Sequence, residues 1–237
     1  GPFEYFKLIF DEVINKNACA MAARSGHWNC LDYALKHGCK YSNDTIRIVV
    51  YYGRVDILKR LSKSKILLNP IESLVITAVN EGHISCLRFL HDTYCTCAEA
   101  LDNATRMPSR IAGTYLRNRL YFDPCLIDDR VIHTAAMSGN RECLEYTYEC
   151  IKKFGNKFAI RDTSVCNSAV SGGNLDCLKC ATQNGGTWNE STCFHAARNG
   201  SLECLKYLRE HGCPYYKERL LIIAKNREIK EYIENHM

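Results

Sequence analysis

The chain has 237 residues, 46% hydrophobic and 24% charged, the composition of a well-packed soluble protein large enough for one or two ordinary domains. Its net charge of +5 is too mildly basic to imply nucleic acid by itself. No signal peptide is read in it, and no apolar run approaches the roughly 20 residues of a membrane span.

Gly1-Pro2 reads as a protease-cleavage scar. Residues 3–14, FEYFKLIFDEVI, predict a helix with Phe6, Ile9, Phe10 and Val13 on one side, so 1–16 is expected to cap the exposed end of a first repeat. From 17 to 237 one unit recurs. Its clearest copy is 191–214, STCFHAARNGSLECLKYLREHGCP. Cys193, Ala196 and Ala197 lie on one helical face, and Gly200 breaks that helix. Leu202, Leu205, Tyr207 and Leu208 then form the apolar stripe of a second helix. Gly212 stands where a helix end favours a left-handed residue, and Pro214 bars continuation.

The first copy has Ala22-Ala23 before Gly26. A worn second copy replaces the small pair with Val49-Val50-Tyr51-Tyr52 before Gly53. Ala78-Val79 precedes Gly82, Ala135-Ala136 precedes Gly139, and Ala169-Val170 precedes Gly173. The turn glycines at 26, 53, 82, 139, 173 and 200 are separated by 27, 29, 57, 34 and 27 residues. The 57-residue interval holds two units, so 98–130 is expected to be an irregular repeat, its turn at Pro108 or Gly113 and the array kinked there. The linker 154–163 is longer and is the place for a full-length finger. A degenerate copy at 223–226 with Ile229, and a helix over 228–235, give a C-terminal cap at about 217–237. Such periodicity predicts a stack of helix pairs, each touching its neighbours, rather than a globule with one centre.

The 15 cysteines fall mainly in columns of the repeat. Cys19, Cys166 and Cys193 open first helices; Cys30, Cys86, Cys143, Cys177 and Cys204 lie in second helices; Cys39, Cys95 and Cys213 follow the second turn. A thiol recurring at one repeat position is expected to pack as a small hydrophobe against its own copies. An odd total cannot pair fully within the chain, and a reducing, cytoplasmic compartment is inferred.

The pattern small-x-x-Gly-x-Leu-Glu-x-Leu-Lys-x-Leu-x-x-x-Gly resembles the ankyrin repeat. Ile132-His133-Thr134-Ala135-Ala136 resembles that family's TPLHLAA segment with the Thr-Pro lost. Most units are shorter than the usual period of about 33 residues, the shortfall lying where a β-hairpin finger would be. The Glu-Cys-Leu-Lys-Tyr-Leu and Gly-Cys-Pro wording, with Gly186-Thr187-Trp188-Asn189-Glu190-Ser191, is similar to a divergent cysteine-rich ankyrin subfamily of large DNA viruses of amoebae. The resemblance implies an all-α, ankyrin-like helical repeat solenoid of about seven to eight helix-turn-helix units, its fingers shortened or absent.

Chemistry is mostly missing from the sequence. No Gly-rich phosphate loop, HExxH or GxSxG is present. Cys177 and Cys180 have CxxC spacing on one second helix and read as packed thiols. His83, Cys86, His91, Cys95 and Cys97 do not converge on paper as a zinc site. His133 and His195 read as helix residues satisfying local backbone groups. No catalytic residue, cofactor, metal or small-molecule substrate is expected.

What remains is surface. In ankyrin-like arrays the two residues between the small pair and the turn glycine point into a concave groove. Here these are Arg24-Ser25, Tyr51-Tyr52, Asn80-Glu81, Met137-Ser138, Ser171-Gly172 and Arg198-Asn199, and they vary while the framework around them repeats. Arg54 and the linker-tip aromatics Tyr41, Trp188, Tyr215 and Tyr216 join them, since Tyr, Trp and Arg most often anchor interfaces. A non-catalytic protein-binding scaffold is the expected function, with a host or viral protein as partner. A nucleic-acid-binding array using Arg24, Arg54, Arg198 and Lys225 is the second reading, and a ubiquitin-ligase adaptor recruited by the helix at 3–14 the third.

Overall fold

Every small pair is followed by a glycine that the backbone needs. Gly26, Gly53, Gly82, Gly139, Gly173 and Gly200 all take positive φ, between 67° and 83°, a region costly for a residue carrying a Cβ. The residue after each glycine donates its amide to the first residue of the small pair: His27 N to Ala22 O, Arg54 N to Val49 O, His83 N to Ala78 O, Asn140 N to Ala135 O, Asn174 N to Ala169 O and Ser201 N to Ala196 O. This is the Schellman ending of a helix, and it turns the chain sharply enough for the second helix to fold back on the first.

The computed structural model describes Glu4 and residues 18–62, 71–94, 126–154 and 163–237. They fall in two compact units, Gly1–Asp92 and Thr93–Met237. Among the described residues every regular element is a helix, as the all-α repeat reading requires. The first unit contains α1 (Ala18–Arg24), α2 (Trp28–Lys36), α3 (Asn43–Tyr51), α4 (Val55–Leu61) and α5 (Ile71–Asn80), with α6 (Ile84–Tyr94) at its end. The second contains α7 (Asp129–Ser138), α8 (Arg141–Phe154), α9 (Thr163–Ser171), α10 (Leu175–Gln183), α11 (Glu190–Asn199), α12 (Leu202–Glu210), α13 (Lys217–Ile223) and α14 (Arg227–His236). The capping helix expected at 3–14, the irregular repeat up to residue 125 and the finger at 155–162 lie outside the described residues, Glu4 alone excepted.

Within each unit the first helices of successive repeats pack side by side: α1, α3 and α5 in one, and α7, α9, α11 and α13 in the other. The small pairs are the contact surface. Ala22-Ala23, Val49-Val50, Ala78-Val79, Ala135-Ala136, Ala169-Val170 and Ala196-Ala197 are all buried, and short side chains let the helix backbones approach closely. The second helices α8, α10 and α12 form a parallel row behind, each paired with its own first helix. The linkers 37–42, 184–189 and 211–216 are short and carry no strand, so the fingers are absent from these described repeats.

Adjacent repeats are also stitched by polar bonds. In three repeats the side chain one residue past the turn glycine reaches back to the last carbonyls of the preceding first helix. His83 Nε2 donates to Tyr51 O at 2.8 Å. Asn174 Nδ2 donates to Met137 O at 2.7 Å and Ala136 O at 3.3 Å. Ser201 Oγ donates to Val170 O at 3.0 Å. In the last repeat Lys225 takes this place, its amide on Ala197 O and its Nζ on Asn199 O, both at 3.1 Å. Helix C-terminal carbonyls have no intrahelical donor, so the repeats carrying His83, Asn174, Ser201 and Lys225 cap the ones before them.

Candidate interaction surface

The residues between the small pair and the turn glycine emerge where the first helix ends. Arg24, Ser25, Tyr51, Tyr52, Asn80, Met137 and Arg198 are exposed; Glu81, Ser138, Ser171 and Asn199 are half-buried. Tyr51 and Tyr52 are each 49% exposed and Met137 53%, large values for side chains that gain by leaving water. Several of the polar positions are spoken for. Asn80 Nδ2 bonds Glu81 Oε1 at 2.9 Å, Ser138 Oγ donates to Thr134 O at 2.7 Å, and the Asn199 carbonyl accepts Lys225 Nζ.

Aromatic residues gather at one place in the first unit. The Tyr51 and Tyr52 rings meet edge-on with centroids 5.2 Å apart. Tyr52 also meets Trp28 edge-on at 5.4 Å, and the Arg54 guanidinium lies 5.0 Å over the Trp28 ring. Asp56 holds that guanidinium through Nε at 3.1 Å and Nη2 at 2.9 Å; its carboxyl is accordingly held below the ordinary carboxylate range. The cluster is therefore pre-ordered by ring contacts and an ion pair, while the two tyrosines keep open faces.

The linker-tip aromatics behave differently. Tyr41 is half-buried and its hydroxyl donates to Leu61 O at 2.7 Å, bracing α4. Trp188 is half-buried, edge-on to Tyr207 at 6.2 Å and His211 at 6.3 Å, and so clips its linker to α12. Tyr215 and Tyr216 are exposed. His133 does not satisfy backbone of its own helix: its Nδ1 is 3.1 Å from Ser168 Oγ and its Nε2 3.4 Å from Ser164 Oγ, both on the neighbouring first helix α9. His195 packs edge-on to Phe194.

Three surface residues escape a reading of the sequence. Trp28 opens α2, where Val55, Ile84, Leu175 and Leu202 open other second helices, so it reads as framework. Met21, 61% exposed, stands five residues before its turn glycine. Ile48, Thr77, Thr134, Ser168 and His195 fill that column in other repeats, so a bulky apolar side chain is not singular there and the sequence gives no signal for it. Ile222, 81% exposed on α13, escapes because the degenerate final repeat has no turn glycine from which to count.

Gly172 needs correcting in the other direction. By sequence it is one of the variable surface positions, but a Cβ there would sit 1.9 Å from Met137 O. Its missing side chain is what admits the end of α7, so it belongs to the framework.

The thiols lie inside. Cys86 and Cys204 are pushed up to about 11, and Cys166 and Cys177 to about 12, in each case chiefly because burial penalises the thiolate. Cys180, the second member of the CxxC, is raised for the same reason. Such thiols are packing groups with little nucleophilic character. Of the zinc candidates, His83 is committed to Tyr51 O and Cys86 is fully buried; Cys95 and Cys97 lie outside the described residues.

No curated protein matches the chain. Residues 132–219, covering α7's small pair through the start of α13, match the family model described as ankyrin repeats, in three copies.

Proposed function

We propose that the chain is a non-catalytic scaffold that binds another protein through side chains carried at the ends of its first helices. Ankyrin repeats are generally protein–protein interaction modules. The supporting observation is the contrast at adjacent positions: Val49-Val50 are fully buried, while Tyr51-Tyr52 beside them are half exposed and share a cluster with Trp28 and Arg54. Packing explains the first pair and leaves the second unexplained. Because the stack already holds these side chains in place, little ordering entropy is lost on binding, and a few aromatic anchors suffice for affinity. On the viral resemblance of its repeat wording, the setting is a virus-infected cytoplasm and the partner a host or viral protein.

Nucleic-acid binding draws less support. Arg54 is paired with Asp56 and Arg24 lies 3.8 Å from Asp44, which interrupts the basic stripe such a reading requires. No helix among the described residues is long and apolar enough to cross a membrane.

The test pairs Tyr51→Ala/Tyr52→Ala with Trp188→Ala. The double tyrosine variant is expected to lose at least ten-fold in recovery of its partner from host lysate, with a melting temperature within about 3 °C of the parent, as for surface changes. Trp188→Ala is expected to lower the melting temperature and leave recovery intact. Full recovery by the tyrosine variant would sink the proposal.

A further inference from the structure

The aromatic cluster where α3 ends is one-sided in its hydrogen bonding. Trp28 Nε1 and the Arg54 guanidinium can only donate, and the Tyr51 and Tyr52 hydroxyls are able to donate. Among the described residues no hydrogen bond engages Trp28 Nε1 or either hydroxyl. The Asp56 carboxylate, an acceptor that touches the cluster, is taken up by Arg54 through two bonds. What the cluster offers to another molecule is therefore a set of donors placed among ring faces.

The rings are held from behind. Tyr51 O accepts His83 Nε2 at 2.8 Å, and a Cβ on Gly53 would fall 2.6 Å from His83 Nδ1, so the turn 51–54 lies tight against the next repeat. The ring planes are steeply inclined, 86° between Tyr51 and Tyr52 and 67° between Tyr52 and Trp28, and each pair leaves a notch with a ring face as one wall. Charge is biased in the same sense as the hydrogen bonds. Arg24, four residues before Trp28, lies 3.8 Å from Asp44, a carboxylate that Arg47 holds at 2.8 Å. Two cations share that anion, and the Arg24 side chain is 66% exposed.

We propose that this cluster docks a proline-rich segment of the partner protein, in polyproline II conformation and with an acidic residue beside the prolines. The proposal rests on the protein-binding reading above and names the partner's chemistry. Proline residues carry no N–H, and the carbonyls of a polyproline II segment make no internal hydrogen bonds. Such a segment presents acceptors to the cluster's donors and sets apolar pyrrolidine rings into the notches. A helix has spent most of its carbonyls on its own ladder, and an ordinary extended strand brings N–H groups that find no acceptor here. The fixed φ of proline also lowers the ordering cost of binding. Arg24 and Arg47, with Asp44 between them, favour an acidic residue in the segment over a basic one.

The test follows the indole N–H resonances of the full chain by NMR; the two tryptophans are Trp28 and Trp188, told apart with a Trp28→Phe variant. The probe is a synthetic peptide of eight prolines with a glutamate at each end. It is expected to move the Trp28 resonance saturably below about 1 mM and to leave that of Trp188 in place. Serines in place of the prolines are expected to weaken binding roughly ten-fold or more, as is Tyr51→Ala/Tyr52→Ala. Arg24→Ala is expected to remove the advantage of glutamate ends over glutamine ends. An unmoved Trp28 resonance at that concentration, or an equal response to the serine peptide, overturns the assignment, whether or not single-stranded DNA moves it. The same peptide, added to lysate, is expected to release the captured partner. A partner that depends on Tyr51 and Tyr52 yet is not released ends the proline assignment and leaves the protein-binding reading standing. Recovery indifferent to the two tyrosines ends both. The peptide titrations need only the parent chain, so the proposal stays decidable should a variant not fold.

Discussion

At the scale of single residues, the most constrained positions do not look constrained. Gly172 sits beside Ser171 in a column that otherwise carries Ser, Tyr, Glu and Asn, yet its Cα is pressed against the Met137 carbonyl. Any added carbon must displace either the end of α7 or the Asn174 side chain, whose Nδ2 would lie 2.5 Å away. Gly172→Ala is therefore expected to cost about 1–3 kcal/mol, the range for overpacking a well-fitted site, read as a lowered urea midpoint. Ser171→Ala, one residue earlier and half-buried, is expected to stay within about 0.5 kcal/mol. Equal effects at the two sites would show that the close approach of α9 to α7 is not what selects glycine.

At the scale of elements, the question is what joins one helix pair to the next. Burial of small pairs is shared by the described repeats that carry them and confers little register, since alanines slide over one another cheaply. The directional part comes from the turn side chains. Asn174 donates twice to the end of α7, and without it the Met137 and Ala136 carbonyls must find water at a half-buried site. Asn174→Ala is expected to lower stability by about 1–2 kcal/mol, the cost of orphaning such acceptors, and to speed amide hydrogen exchange in α7 and α9 ahead of α12. Uniform acceleration across the second unit would mean that the bonds do not locate the coupling. These stitches also mark the limit of what the sequence conveys. The turn glycines, the small pairs and the cysteine columns are legible because each repeats in kind, and residue type at a fixed spacing is a packing constraint written several times. His83, Asn174, Ser201 and Lys225 perform one task with four chemistries, so nothing recurs for the eye to catch. Trp188 and Tyr41 mislead for a related reason. An aromatic side chain on a linker can project or fold down, and only the packing partners, Tyr207 and His211 for one and Leu61 O for the other, decide which. The candidate surface is legible at Tyr51 and Tyr52, whereas its Trp28 neighbour is hidden in a column whose other members, Arg141 apart, are aliphatic.

At the scale of the whole molecule, the recurrence of buried thiols sets how stability responds to pH. A thiol whose value is raised on folding keeps its proton in the native chain at a pH where the unfolded chain has lost it. Starting from the ordinary value of 9.0, Cys86 and Cys204 titrate near 11 and Cys166 and Cys177 near 12 in the folded state. Between those limits the unfolded state binds fewer protons than the native one, so stability falls as pH rises. Each such thiol contributes a slope approaching 1.4 kcal/mol per pH unit, about one unit of pKa in free energy. The stabilisation is complete below pH 9 and is lost as pH climbs through the folded values. Tyr148, fully buried and also raised by burial, adds to the slope above pH 10. The urea midpoint followed by circular dichroism is therefore expected to be flat from pH 7 to 8.5 and to drop steeply from pH 9 to 11, in a buffer with a reductant and constant ionic strength. Replacing Cys177 and Cys204 together by Ala removes two of these titrations, so that variant is expected to start lower at pH 7.5 and lose less on going to pH 10.5. Its curve and the parent's should converge as pH rises. Parallel curves would show that surface charge, rather than the sulfurs packed between repeats, governs the alkaline limit of the fold.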